Sequence, residues 1–96
     1  MTTRYFVMYD VCDPKRLRRV YELTKGAGEH VQLSVFCCDL SDRRREQLMS
    51  DLSDIVNATE DQVLFIALGP STGPAAGRVE AVGRPYSLKT DGTFIL

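Results

Sequence analysis

Two periodicities of apolar and polar positions divide this chain into elements. Tyr5-Phe6-Val7-Met8-Tyr9 is an unbroken, aromatic-rich run closed by Asp10-Val11-Cys12, and it predicts a strand buried in a sheet. Asp13-Pro14 then opens a helix, since Asp is a preferred N-cap and Pro suits the first helical position. Leu17, Val20, Tyr21 and Thr24 follow at i, i+3, i+4 and i+7, with Leu23 widening the apolar stripe. Gly26-Ala27-Gly28 supplies a stop. His30 to Leu40 is an extended, mostly apolar segment whose length fits one bent strand or a short strand pair, and periodicity leaves both open. Ser41-Asp42 caps a second helix with a stripe of Leu48, Met49, Leu52, Ile55 and Val56, ending near Asn57. After the turn Thr59-Glu60-Asp61, Gln62 to Leu68 is a further buried strand, and the breaker-rich Gly69 to Pro74 is a loop. Arg78 to Val82 alternates like a half-exposed strand, and the tail Gly92 to Leu96 is largely apolar.

The order strand, helix, strand material, helix, strand, strand predicts a single α+β domain. Its expected form is a ferredoxin-like βαββαβ sandwich, an antiparallel sheet with two helices on one face and an extra C-terminal strand. The other sheet face is then uncovered, and a homodimer would cover it. Length supports this: 96 residues bury only about 60–65% of their unfolded surface, so the core is thin.

Composition narrows the function classes. With 44% hydrophobic and 26% charged residues the chain is globular, and no apolar run approaches the ~18 residues of a membrane span. Three cysteines without C-x-x-C spacing do not make a disulfide framework, so a reducing, cytoplasmic setting is expected. Twelve basic residues against thirteen acidic ones give a net charge of −1, which argues against a tail that binds polyanions by charge alone. The sum hides segregation. Five basic residues face three acidic ones between Asp10 and Lys25, whereas three arginines face seven acids between Asp39 and Asp61.

Three groups of residues carry candidate chemistry. Asp10 follows a buried strand and lies beside a helix start; Asp13 is better placed for capping, which leaves Asp10 spare. One carboxylate holds Mg²⁺ (or Mn²⁺) poorly, but a two-fold axis bringing two Asp10 side chains together supplies a second. Lys15, Arg16, Arg18 and Arg19 crowd one helix start, and Arg43 and Arg44, with Arg45, crowd the other; they read either as solvated helix faces or as phosphate grips. Ser34 and Phe36 lie in the extended segment, where serine usually bonds its neighbours and phenylalanine usually packs, although an exposed ring beside basic residues stacks bases. His30, Cys37 and Cys38 invite a zinc reading, which the opposite facing of adjacent strand residues opposes.

Taken together, Tyr9-Asp10-Val11-Cys12-Asp13, the arginine-rich helix up to Arg19-Val20, Gly28 and the run Val31-Gln32-Leu33-Ser34-Val35-Phe36-Cys37-Cys38-Asp39-Leu40 resemble the small CRISPR-associated "Cas two" family, over roughly residues 4–86. The resemblance implies a ferredoxin-like homodimer in which the segment around Ser34 forms two short strands and the C-terminal strand joins the partner's sheet. It implies a metal-dependent endonuclease acting on single-stranded RNA or, in some members, double-stranded DNA. It also implies a role in spacer acquisition, with the dimer bridging dimers of the "Cas one" integrase. By that resemblance Asp10 is the metal-binding aspartate, and Arg19, Ser34 and Phe36 surround the site or its nucleic acid. The chain departs from the family pattern at His30, where arginine is frequent, at Leu33, where tyrosine is common, and in the spacing of Arg16, Arg18 and Arg19. The competing reading is a non-catalytic dimeric adaptor that holds DNA and the integrase.

Overall fold

The computed structural model describes residues 1–72, 80–88 and 94–95. Strand β1 (Thr3–Asp10) leads into helix α1 (Pro14–Ala27), strands β2 (Glu29–Gln32) and β3 (Val35–Leu40), helix α2 (Asp42–Ile55) and strand β4 (Gln62–Pro70). Two short strands, β5 (Ser87–Leu88) and β6 (Phe94–Ile95), pair with each other. The main sheet has the order β2-β3-β1-β4 and every neighbouring pair is antiparallel. This is the expected ferredoxin-like arrangement, and the ambiguous extended segment resolves into a strand pair joined at Leu33-Ser34.

Both helices start where their local sequence dictates. The Asp13 carboxylate accepts the Arg16 N–H at 3.0 Å, with Pro14 opening α1. The Ser41 hydroxyl accepts the Arg44 N–H at 3.2 Å. At the end of α1, Gly28 has extended backbone that any residue adopts. What requires glycine there is proximity, because an added Cβ would lie 2.4 Å from Cys38 Sγ and 2.5 Å from the Cys37 carbonyl oxygen.

The core lies between the helices and one sheet face. Tyr5, Val7, Tyr9 and Val11 point to it from β1 and the residue just beyond, Phe36, Cys38 and Leu40 from β3, Val20 from α1, and Leu48 and Leu52 from α2. Each such buried apolar side chain contributes about 1.5–3 kcal/mol. Two stripe residues depart from expectation: Leu17 and Met49 sit at the margins of their helical faces and are exposed.

The opposite parity, Arg4, Phe6, Met8 and Asp10, faces away from the helices. Arg4 is buried there and pairs with Asp39, directly across in β3, through Nε–Oδ1 at 2.8 Å and Nη2–Oδ2 at 3.1 Å. Burial, and then the charges of Glu29 and Cys37, push the Tyr86 phenol pKa up. The β1–β4 half of this face is apolar and open, with Leu64 at 43% and Ile66 at 42% exposure across from Met8 and Phe6.

Two boundaries differ from the sequence pattern. Strand β4 runs through Pro70 rather than ending at Leu68, because a bulge opposite Arg4 and Tyr5 takes up the extra residue and Gly69 adopts φ 115° there. The expected strand at Arg78 to Val82 lies partly outside the described residues, and Glu80–Val82 carry no strand; pairing occurs instead at β5 and β6. Glycine and proline at Gly83 and Pro85 punctuate that stretch, and alternation over five residues was too short a signal to place a strand. Of the apolar tail, only the β6 backbone at Phe94–Ile95 is described.

Candidate metal and nucleic-acid site

Asp10 closes β1 and is exposed on the sheet face that the helices leave uncovered. Its cross-strand neighbour is Gln62 at the start of β4. Among the described residues nothing hydrogen-bonds or pairs with its carboxylate. No group of three His, Cys, Asp or Glu side chains able to hold a metal ion occurs among those residues either. Among its described residues the chain thus presents one unpaired carboxylate here, which suits Mg²⁺ or Mn²⁺ only when further ligands come from elsewhere, such as a second copy or a substrate phosphate.

The fold brings Ser34 and the start of α1 to this same end of the sheet. The Tyr9 N–H donates to the Ser34 carbonyl at 3.1 Å, which sets the β2–β3 turn against the end of β1. Leu33 in that turn has φ 40° and is exposed. His30 braces the turn, its Nε2 lying 2.7 Å from the Leu33 carbonyl oxygen. Arg18 and Ser34 share a groove of about 520 Å³ with Tyr9, Leu17 and Tyr21. Lys15, Arg18 and Arg19 are exposed along α1, so three cations stand near Asp10's end of the sheet.

Other expected site residues have different surroundings. Arg16 is not an open phosphate grip: its Nε donates to Asp61 Oδ2 at 2.7 Å and its Nη2 to Glu60 at 3.1 Å. Those carboxylates raise the guanidinium pKa further. Asp13 is the cap of α1. Phe36 has no exposed area and cannot stack a base; its ring lies 4.9 Å from His30, 5.7 Å from Tyr21 and 6.2 Å from Tyr9. Arg43 and Arg44 are exposed, but α2 begins after Leu40, the partner of Thr3, at the far end of β1 from Asp10. Seven steps of strand separate those ends by roughly 23 Å, so within a protomer the two basic helix starts do not form one surface.

The thiols also separate as strand parity requires. Cys38 belongs to the core, where burial, then Cys37 and Asp39, push its pKa up to about 12, so it stays protonated. Cys37 lies opposite Phe6 and Glu29 on the other face.

The residue that sequence reasoning missed is Asp61. It reads as part of a surface turn, yet its side chain carries no exposed area. Oδ1 accepts the Cys12 N–H at 3.2 Å, and Oδ2 accepts the Asn57 N–H at 2.8 Å along with Arg16 Nε. Those donors, Arg16 first, hold the Asp61 carboxyl down at about 2. No local spacing signals this role, because the Asp61 partners Arg16 and Cys12 are 45 and 49 positions distant.

The fold and site together define a small ferredoxin-like domain whose open sheet face is apolar along β1 and β4, with an exposed strand-end carboxylate a short loop before a basic helix. Residues 2–72 match the family described as CRISPR associated protein Cas2. The chain belongs to that family. It is 42% identical over 82 residues to a protein of Rhodospirillum rubrum named CRISPR-associated endoribonuclease Cas2 1, covering 85% of this chain and 79% of that one. A Geobacter sulfurreducens protein named CRISPR-associated endoribonuclease Cas2 is 35% identical, with 85% of each chain covered. Among solved structures, Streptococcus pyogenes Cas2 superimposes with a TM-score of 0.71 at 33% identity, covering 83% of this chain and 99% of that one. A hypothetical protein from Thermus thermophilus gives a TM-score of 0.76 at 32% identity, covering 88% and 94%. No helix among the described residues is long and apolar enough to cross a membrane.

Proposed function

We propose that this chain acts as a homodimer that hydrolyses phosphodiester bonds in RNA or DNA during CRISPR spacer acquisition, working beside the integrase dimer. The observation that carries the reading is the position of Asp10: exposed, unpaired among the described residues, and on the same open face as Phe6, Met8, Leu64 and Ile66. A second copy seated on that apolar face removes it from water and sets the two Asp10 carboxylates near the two-fold axis. Mg²⁺ or Mn²⁺ held by the paired carboxylates would polarise a phosphoryl oxygen and make a bound water more acidic. The exposed Lys15, Arg18 and Arg19 grip flanking phosphates, and the Ser34 hydroxyl at the turn offers a further contact. The relatives named as endoribonucleases favour RNA among the possible substrates.

A second reading, a dimeric adaptor that holds DNA for the integrase without cutting it, is favoured by the single carboxylate that one chain brings to the site. One experiment separates the two. Wild type and Asp10→Asn are assayed for metal-dependent cleavage of RNA and DNA, with dimerisation followed by sedimentation. The nuclease reading expects Asp10→Asn to stay dimeric and lose cleavage; cleavage that persists unchanged refutes it. The adaptor reading expects Asp10→Asn to support spacer acquisition while Arg18→Glu with Arg19→Glu does not.

A further inference from the structure

The carboxylate of Asp61 joins three segments just past the end of β1. Cys12 N–H comes from the loop that directly follows Asp10, Arg16 from the first turn of α1, and Asn57 N–H from the exit of α2. Asp61 also precedes Gln62, the residue that pairs with Asp10 across the β1–β4 ladder. Asp10 is therefore bracketed. Its own residue is held by strand pairing, and the backbone two residues later is held by a carboxylate with no exposed area. Loop segments ordinarily occupy the low-stability end of a fold, and this one is pinned by charge-assisted bonds to a buried acceptor.

We infer that Asp61, locked by Arg16, is the positioning residue for Asp10: it fixes the direction in which the Asp10 carboxylate leaves β1. The inference rests on the proposed metal-binding role of Asp10. Arg16 thus serves the site indirectly, which accounts for an arginine in a basic helix start that is engaged by two carboxylates. Sites of this kind lose metal affinity when the groups behind the ligand change, typically by 10–100-fold, because a misplacement near 1 Å is enough to spoil reacting geometry.

The test uses the full-length dimer and Mn²⁺ as the probe. Asp61→Asn keeps the shape and an acceptor for Cys12 N–H but removes the charge that holds Arg16; Arg16→Lys is the milder companion should the first variant not fold. Mn²⁺ affinity is measured by calorimetry without substrate, hydrogen exchange is followed at residues 11–13, and cleavage is titrated against Mn²⁺. The expected result for Asp61→Asn is a dimer whose Mn²⁺ Kd rises about 10–100-fold, with faster exchange at Cys12, and for Arg16→Lys a smaller rise that still exceeds about twofold. Folded dimers of either variant that bind Mn²⁺ within about twofold of wild type overturn the inference. Asp10→Asn separates this failure from that of the functional reading. A wild type that neither binds Mn²⁺ through Asp10 nor cleaves overturns the proposed function, and the inference falls with it. A wild type that does both, beside an unaffected Asp61→Asn, overturns the inference alone.

Discussion

Phe36→Ala tests whether this ring belongs to the core or to the nucleic-acid surface. The side chain is wholly buried among Tyr9, Tyr21 and His30. Truncating such a phenylalanine costs about 3–5 kcal/mol through lost transfer energy and the cavity left behind, including about 0.5–1.5 kcal/mol from each aromatic pair. A domain of this length holds roughly 5–14 kcal/mol in total, so the variant loses a large part of its stability. Urea unfolding at a fixed protomer concentration reads the change as a lower midpoint with unchanged slope. Phe36→Leu keeps a large apolar side chain but loses the aromatic pairs, so it costs less than Phe36→Ala and leaves nucleic-acid affinity at the wild-type value when both are measured folded. A Phe36→Ala protein that loses under about 1 kcal/mol yet no longer binds nucleic acid would refute the core assignment and restore a base-stacking role.

Two further outcomes follow from geometry elsewhere. Gly28→Ala drives a methyl into Cys38 Sγ and the Cys37 carbonyl; overpacking of that kind costs about 1–3 kcal/mol and lowers Tm by roughly 4–8 °C per kcal/mol, and an unchanged Tm would show that α1 can shift away from β3. Asp61 has a folded carboxyl pKa of about 2, below the unfolded value near 3.9, so its stabilisation is complete above about pH 4 and lost as pH falls through about 2. Asp61→Asn should therefore be less stable than wild type at neutral pH, with the gap narrowing between about pH 4 and pH 2 in acid-unfolding curves, and a constant gap across that range would refute the pairing.

Most of the elements were legible because their signals are local. Asp13 and Ser41 mark helix starts by accepting the N–H of the residue three positions on, Pro14 opens α1, and the stripes of α1 and α2 follow from the helical period. Within the candidate site, Asp10 was readable as a carboxylate left over once Asp13 had taken the cap. The roles of Arg16 and Phe36 were not readable in this way. A basic residue in a helix start and a phenylalanine in a strand each fit either an exposed or a buried role, and only their neighbours in space decide.

By itself, then, the sequence determined the order of elements as far as β4, the fold class and the helix caps. Tertiary structure decided what depends on contacts between distant positions. The Arg16–Asp61 pair spans 45 positions and Arg4–Asp39 spans 35, and both turn apparent surface charges into internal ties. Strand order placed the two basic helix starts at opposite ends of the sheet, and strand parity put Asp10 on the open apolar face rather than against the helices. The physical reason is the same in each case: spacing along a chain encodes which face of an element a residue occupies, whereas the partner that face meets is set by how the elements pack.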